Sequence, residues 1–181
     1  MTRVAVIGDG GWGTALALVA RRNGHAVTVW GPFPDYTREV AERRENIRFL
    51  PGIPLPPDLR WEPDRDAAVR DADAVIFAVP SQFFAEVVRS FTGLIPNRAT
   101  LISVTKGLDR DTHRRMTEVA GDLLGRSDLC ALSGPSFAEE VARGLPTAVV
   151  AASRSAAPAA TAQRLLRGPA FRVYTTDDVV G

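Results

Sequence analysis

Four short segments carry residue types that can do chemistry. The first is Gly8-Asp9-Gly10-Gly11-Trp12-Gly13, which fits G-x-G-x-x-G, follows the apolar run Val4–Ile7 and opens the helical run Thr14–Leu18. In that setting Gly8 makes a tight turn, Gly10 lets a pyrophosphate approach the backbone, and Gly13 lets helix and strand pack closely. The helix N-terminus adds N–H groups and the positive end of a dipole. This spacing predicts a dinucleotide site taking NAD or NADP. An acid about 20 residues further on normally reads the ribose 2′-hydroxyl, but Gly10 through Pro34 contains none. Asp35 and Arg38 come too late to choose, so NAD and NADP both stay open.

The second segment, Val79-Pro80-Ser81-Gln82-Phe83-Phe84, follows the apolar run Ala74–Val79. Strand C-termini of an open α/β sheet face the ligand crevice, so this turn borders the cofactor. Ser81 is placed to cap the next helix, and Phe83 can cover a nucleotide or nicotinamide face. Core packing of Phe83 or Phe84 is an equally good reading. The third segment is Ser103-Val104-Thr105-Lys106-Gly107-Leu108, again at a strand end. Lys106 is the only lysine among 22 basic side chains. From that turn an ammonium can bind a phosphate or polarise a carbonyl or alkoxide oxygen. The fourth, Leu132 to Val141, offers Gly134 and Pro135 for a turn, and Ser136 with Glu139 for a capping box. Its amides and hydroxyl can meet an oxyanion or phosphate.

Other chemistries find little support. His25 and His113 share no metal spacing with nearby acids, and no nucleophile elbow, P-loop or HExxH occurs. Cys130 is the single cysteine, which excludes an intramolecular disulfide. With 22 Lys+Arg against 21 Asp+Glu the net charge is +1, so binding nucleic acid through bulk positive charge is excluded. The mixed-sign run Arg110–Arg115 reads as a solvated helix face. No apolar run is long enough for a membrane span or secretory signal, and a cytoplasmic location is expected.

These turns need elements to hold them. Apolar strand runs are expected at Val4–Ile7, Ala26–Trp30, Ala74–Val79, Thr100–Val104, Leu129–Leu132, Ala148–Ala152 and Phe171–Tyr174. Helical patterns fall near 12–22, 35–44, 65–71, 82–91, 112–125, 137–143 and 156–167. Several strands are apolar throughout, as in parallel sheets covered on both faces. The βαβα order predicts an α/β fold: a doubly wound, mostly parallel Rossmann-type sheet with helices on both faces. The segment Asn46–Pro63, with Pro51, Pro54, Pro56, Pro57 and Pro63, reads as an irregular surface loop with an extended exit. No domain boundary interrupts residues 1–181, a length that suits one domain.

The four motifs, in this order and spacing, closely resemble the NAD(P)-dependent glycerol-3-phosphate dehydrogenases. The resemblance rests on Gly8 through Thr14, Asn46 with Phe49-Leu50-Pro51-Gly52, Val79 through Phe83, Thr105-Lys106-Gly107, Ser133 through Glu139, Gly144 through Ala148, and Phe171 through Tyr174. It implies an oxidoreductase that interconverts sn-glycerol 3-phosphate and dihydroxyacetone phosphate by hydride transfer to or from NAD or NADP. By resemblance Gly8, Gly10, Gly11, Trp12, Gly13, Phe83, Lys106 and Ala138 bind the cofactor, while Lys106, Gly134 and Ser136 bind a small phosphorylated substrate. The family often carries Arg or His where this chain has Gly31-Pro32, which leaves NAD against NADP open. It also continues into a helical C-terminal domain that holds the proton-acceptor lysine and a phosphate-gripping Arg-Asn pair. Residues 1–181 are therefore expected to be the dinucleotide-binding domain, without a catalytic base and inactive alone. The full-length enzyme is expected to work in phospholipid-linked glycerol-3-phosphate metabolism, as a homodimer, without nucleic-acid or membrane-spanning partners. Two alternatives remain: another two-domain dehydrogenase of the 3-hydroxyacid type, and a non-catalytic dinucleotide-sensing module.

Overall fold

Apolar runs and amphipathic helices alternate from the first strand. A computed structural model describes residues 1–180 of the chain; Gly181, the last position of the expected domain, lies outside the described residues. The strands are β1 (Arg3–Ile7), β2 (Ala26–Trp30), β3 (Glu45–Asn46), β4 (Leu50–Pro54), β5 (Arg60–Trp61), β6 (Ala74–Phe77), β7 (Thr100–Ser103), β8 (Leu129–Ser133), β9 (Thr147–Ala152) and β10 (Phe171–Thr176). The helices are α1 (Gly11–Arg22), α2 (Pro34–Arg43), α3 (Arg65–Val69), α4 (Ser81–Ser90), α5 (Met116–Leu124), α6 (Ala138–Arg143) and α7 (Ala156–Leu166).

Eight strands form one sheet in the order β10-β9-β8-β7-β6-β1-β2-β5. Every pairing in it is parallel except β8 with β9. The chain steps outward from β1 to β2 on one side and returns to β6 on the other, so the strand order reverses at β1. That is where an open α/β sheet leaves a crevice for a ligand. The register aligns the ends: Ile7 lies opposite both Trp30 and Phe77, Phe77 opposite Ser103, and Ser103 opposite Ala131. The turns after β1, β2, β6, β7 and β8 therefore emerge side by side.

Burial explains the sequence pattern. Strand β6 is buried at all four positions and β1 at four of five, because apolar layers cover both of their faces. One layer joins α1, α6 and α7 to the sheet, and the other joins α3, α4 and α5. Helix α1 is apolar almost all round because the sheet lies on one side and α6 and α7 on the other; Gly13 through Ala20 are all buried. Toward the edge, β9 and β10 alternate buried and exposed residues, the mark of a strand covered on one face.

Some local expectations are corrected. Residues 46–63 are not an irregular surface loop, because Glu45–Asn46 pairs antiparallel with Leu50–Pro54; the extended exit expected there is Arg60–Trp61, a parallel edge strand beside β2. Leu50, Ile53, Leu55, Leu59 and Trp61 are buried and drive this packing, while Pro51, Pro54 and Pro57 take exposed positions where no ladder N–H is needed. Helix α5 starts at Met116 rather than near 112. The Asp109 carboxylate accepts bonds from the Thr112 amide (3.0 Å) and hydroxyl (2.9 Å), closing a turn across which Leu108 pairs with Arg115. The run Arg110–Arg115 is thus an exposed turn, not a helix face. Ser81 is the first residue of α4 and does not cap it. Ser136 does not cap α6 either, because the extended residue before that helix is Phe137.

Candidate functional site

The glycine turn between β1 and α1 is shaped by three positions where a side chain has no room. Gly8 has φ +120°, and a Cβ there would lie 2.4 Å from the Ala78 carbonyl oxygen. A Cβ on Gly13 would lie 2.0 Å from the Gly8 carbonyl oxygen, so helix and turn pack as closely as the motif predicts. A Cβ on Gly11 would meet the Phe49 carbonyl oxygen at 2.5 Å and the Ala138 Cβ at 3.5 Å, which brings the hairpin and the start of α6 to the mouth of α1. Gly10 differs: a Cβ there would have nothing within 4 Å. Its bareness serves no internal packing and leaves the turn open to a ligand. It precedes a helix whose first turn has no side-chain cap and no acidic residue, which suits an anion. Trp12 is half-buried against the core, and its indole N–H has no acceptor among the described residues.

Asn46 ties this turn to its surroundings from a fully buried position. Its Nδ2 donates to the Asp9 carbonyl oxygen (2.7 Å) and to Thr14 Oγ1 (2.8 Å). Its Oδ1 accepts from the Tyr36 hydroxyl (2.6 Å) and the Phe49 amide (3.2 Å). One side chain thereby joins the glycine turn, α1, α2 and the β3–β4 hairpin. Asp9, between the first two glycines, is 5% exposed. Burial pushes its carboxyl up to about 6, partly offset by its own amide and the Arg48 charge.

The neighbouring turns are joined by polar bonds. The Thr105 hydroxyl donates to the Val79 carbonyl (2.7 Å), linking the turn after β7 to that after β6. Lys106 Nζ donates to the Gly134 carbonyl (3.0 Å), and Ser136 Oγ donates to the same oxygen (3.3 Å). Gly134 admits no Cβ without meeting the Ala148 carbonyl oxygen at 2.9 Å. Lys106, Ser133 and Gly134 line a cleft of about 740 Å³ that runs over β8 and β9 past Val150 and Thr117. The two phenylalanines separate cleanly: Phe84 is fully buried, edge-on to Phe77 with centroids 5.9 Å apart, while Phe83 is 53% exposed.

The predicted residues therefore gather in two groups along the strand ends. Gly8, Gly10, Gly11, Trp12 and Gly13 form one, with Ala138 beside Gly11; Lys106, Gly134 and Ser136 form the other. Phe83 stands in the first turn of the helix that follows β6. Nothing in the one-dimensional surroundings of Asn46 signals its four hydrogen bonds. Asp9 stands between Gly8 and Gly10, where the motif's spacing gives it no role. Cys130 is buried, its thiol pushed up to about 12 by burial, so it is no nucleophile. No group of three His, Cys, Asp or Glu among the described residues could hold a metal, and no described helix is long and apolar enough to cross a membrane.

Residues 3–159 match a family described as NAD-dependent glycerol-3-phosphate dehydrogenase N-terminus. A protein from Xanthomonas euvesicatoria pv. vesicatoria named glycerol-3-phosphate dehydrogenase [NAD(P)+] is 43% identical over 180 residues, covering 99% of this chain and 53% of that protein. The crystal structure of a glycerol-3-phosphate dehydrogenase from Coxiella burnetii superposes with a TM-score of 0.93 at 37% identity, over 98% of this chain and 55% of the other. A yeast glycerol-3-phosphate dehydrogenase, from Saccharomyces cerevisiae, gives 0.86 at 27% identity, over 98% and 57%. The chain thus spans about half the length of the curated relatives it matches.

Proposed function

The chain belongs to the NAD-dependent glycerol-3-phosphate dehydrogenase family, and from that premise we propose that it is the dinucleotide-binding part of an enzyme interconverting sn-glycerol 3-phosphate and dihydroxyacetone phosphate. The observation that carries this reading is the pairing of an open Gly10 turn with the Lys106–Gly134 contact along one set of strand ends. A nicotinamide dinucleotide supplies the hydride acceptor or donor. Gly10 and the first amides of α1 receive its pyrophosphate, with Gly8 and Gly13 shaping the turn. Gly11, Trp12 and Ala138 flank that turn, and the exposed Phe83 ring covers part of the bound cofactor.

Lys106 serves cofactor and substrate together. Its ammonium is fixed by the Gly134 carbonyl, leaving its remaining protons for a substrate oxygen or phosphate. Gly134 and Ser136 form the rest of the substrate edge. We assign no catalytic base within residues 1–181 and place it in a helical domain following them. We further place the full-length enzyme in the cytoplasm, as a homodimer acting on a small phosphorylated substrate.

The test is Lys106→Ala in the full-length enzyme. Losing a charge-assisted bond to an anion corresponds to roughly a 10- to 100-fold drop in kcat/KM for glycerol 3-phosphate. Unchanged kcat/KM, or preferred turnover of 3-hydroxyacids, refutes the assignment. The 181-residue chain alone should give no measurable turnover.

A further inference from the structure

The site has a carboxylate that neither the motif nor the fold requires. In dinucleotide-binding sheets the acid that reads the adenosine ribose stands at the end of the second strand. Here that position is Trp30-Gly31-Pro32, with no acid from Gly10 through Pro34. A carboxylate from the turn after β1 stands against that position. A Cβ on Gly31 would lie 2.0 Å from Asp9 Oδ2, 2.4 Å from its Cγ and 3.0 Å from its Cβ. The Asp9 carboxylate therefore occupies the space that a side chain at position 31 would enter. Strand pairing dictates this: Ile7 lies opposite Trp30, and the Gly8 amide donates to the Trp30 carbonyl (2.9 Å), setting residues 9 and 31 side by side.

We propose that Asp9 is the ribose-reading carboxylate of this site, accepting hydrogen bonds from the adenosine diol and favouring NAD over NADP. The inference rests on the dinucleotide reading above and adds the choice between the two cofactors. Asp9 Oδ2 is buried without a donor among the described residues. Asn46 bonds the Asp9 backbone carbonyl instead, and Pro32 has no N–H to offer. A buried carboxylate oxygen without a donor is costly, and an alanine would fill the turn without that cost. A ribose diol brings the missing O–H donors.

The surroundings argue against a 2′-phosphate. Gly31, which abuts Asp9, also lines a cleft of about 440 Å³ that Asp9 itself does not line; there Asp64 and Glu86 set two carboxylates against the one guanidinium of Arg65. Arg38 is engaged by Asp35 at 2.7 Å, and the Arg48 guanidinium stacks over the Tyr36 ring at 4.3 Å. Arg48 on the hairpin and Tyr36 on α2 are the charged and titratable groups that act on Asp9 from its packed neighbours. A dianion at the ribose would meet the Asp9 charge at close range.

Calorimetric titration of the chain with NADH and NADPH at pH 8 tests this without any turnover. Wild type should bind NADH at least about ten-fold more tightly than NADPH, the scale of one hydrogen bond to a charged group. Asp9→Ala should lose most of that advantage by weakening NADH, and Asp9→Asn should strengthen NADPH; circular dichroism confirms the fold of each. Asp9→Ala combined with Gly31→Asp, which returns the acid to the end of β2, should restore the NADH preference. Asp9→Ala binding NADH as wild type does overturns the proposal. So does a wild type that prefers NADPH and loses that preference in Arg65→Ala. Wild type binding neither nucleotide overturns the underlying dinucleotide reading, and this inference with it.

Discussion

Replacing Asp9 by asparagine should change how stability depends on pH, by an amount set by where the carboxyl sits. Burial raises its pKa from 3.8 to about 6 in the folded chain, so the folded state holds a proton that the unfolded state has released between those values. Stability from this group is fully present below 3.8 and is lost as pH rises through 6. That rise corresponds to about 3 kcal/mol lost by pH 8. About half of that is already lost at pH 5. The amide in the Asp9→Asn variant does not ionise and avoids the loss. Urea unfolding of both proteins from pH 5 to pH 8 reads the difference, and groups that titrate alike in both cancel. The stability of Asp9→Asn relative to wild type should rise by about 1.5 kcal/mol across that range. A difference that stays constant with pH refutes the reasoning, because it means the Asp9 carboxyl is not held in a proton-binding environment. Saturating NADH should shrink the pH-dependent difference, since a ribose donor favours the charged form.

Two further outcomes follow from the packing around the turn. Asn46→Ala removes four hydrogen bonds from one buried side chain and leaves the Tyr36 hydroxyl without its acceptor. It should cost about 2–4 kcal/mol in urea unfolding and also weaken NADH binding, by loosening the glycine turn. Phe83→Ala and Phe84→Ala should part company. The exposed Phe83 should change stability by about 0.5 kcal/mol or less yet weaken the dinucleotide, while the buried Phe84 should cost about 3–5 kcal/mol; equal stability losses contradict the assignment.

How far these features can be read from one dimension depends on whether their partners are local. Strand β2 begins and ends where its sequence predicts because an uninterrupted β-favouring run lies between His25 and Gly31. The roles of Gly8 and Gly13 were legible because a strand–turn–helix context fixes which backbone atoms meet. The hairpin at residues 45–54 was hidden by prolines whose exposed positions only the fold reveals. Phe83 and Phe84 are adjacent in sequence, and the helix phase of about 100° per residue decides which faces inward. Ser136 looked like a cap because the turn was expected to end one residue earlier than Phe137. Asp9 is illegible in one dimension for a different reason: an acid is expected about 20 residues along the chain, whereas the relevant distance runs across the β1–β2 pairing. Register, which no spacing rule encodes, carries that information.

The central claim, that the open glycine turn is a dinucleotide site, is tested most directly at Gly10. Its Cβ would touch nothing and its φ of −66° suits any residue, so Gly10→Ala should unfold within about 1 kcal/mol of wild type. Titrated with NADH, wild type should bind saturably and Gly10→Ala at least about ten-fold more weakly, because the added methyl enters the space left for the pyrophosphate. Equal NADH affinity in the two proteins, or no saturable binding by wild type, contradicts the account.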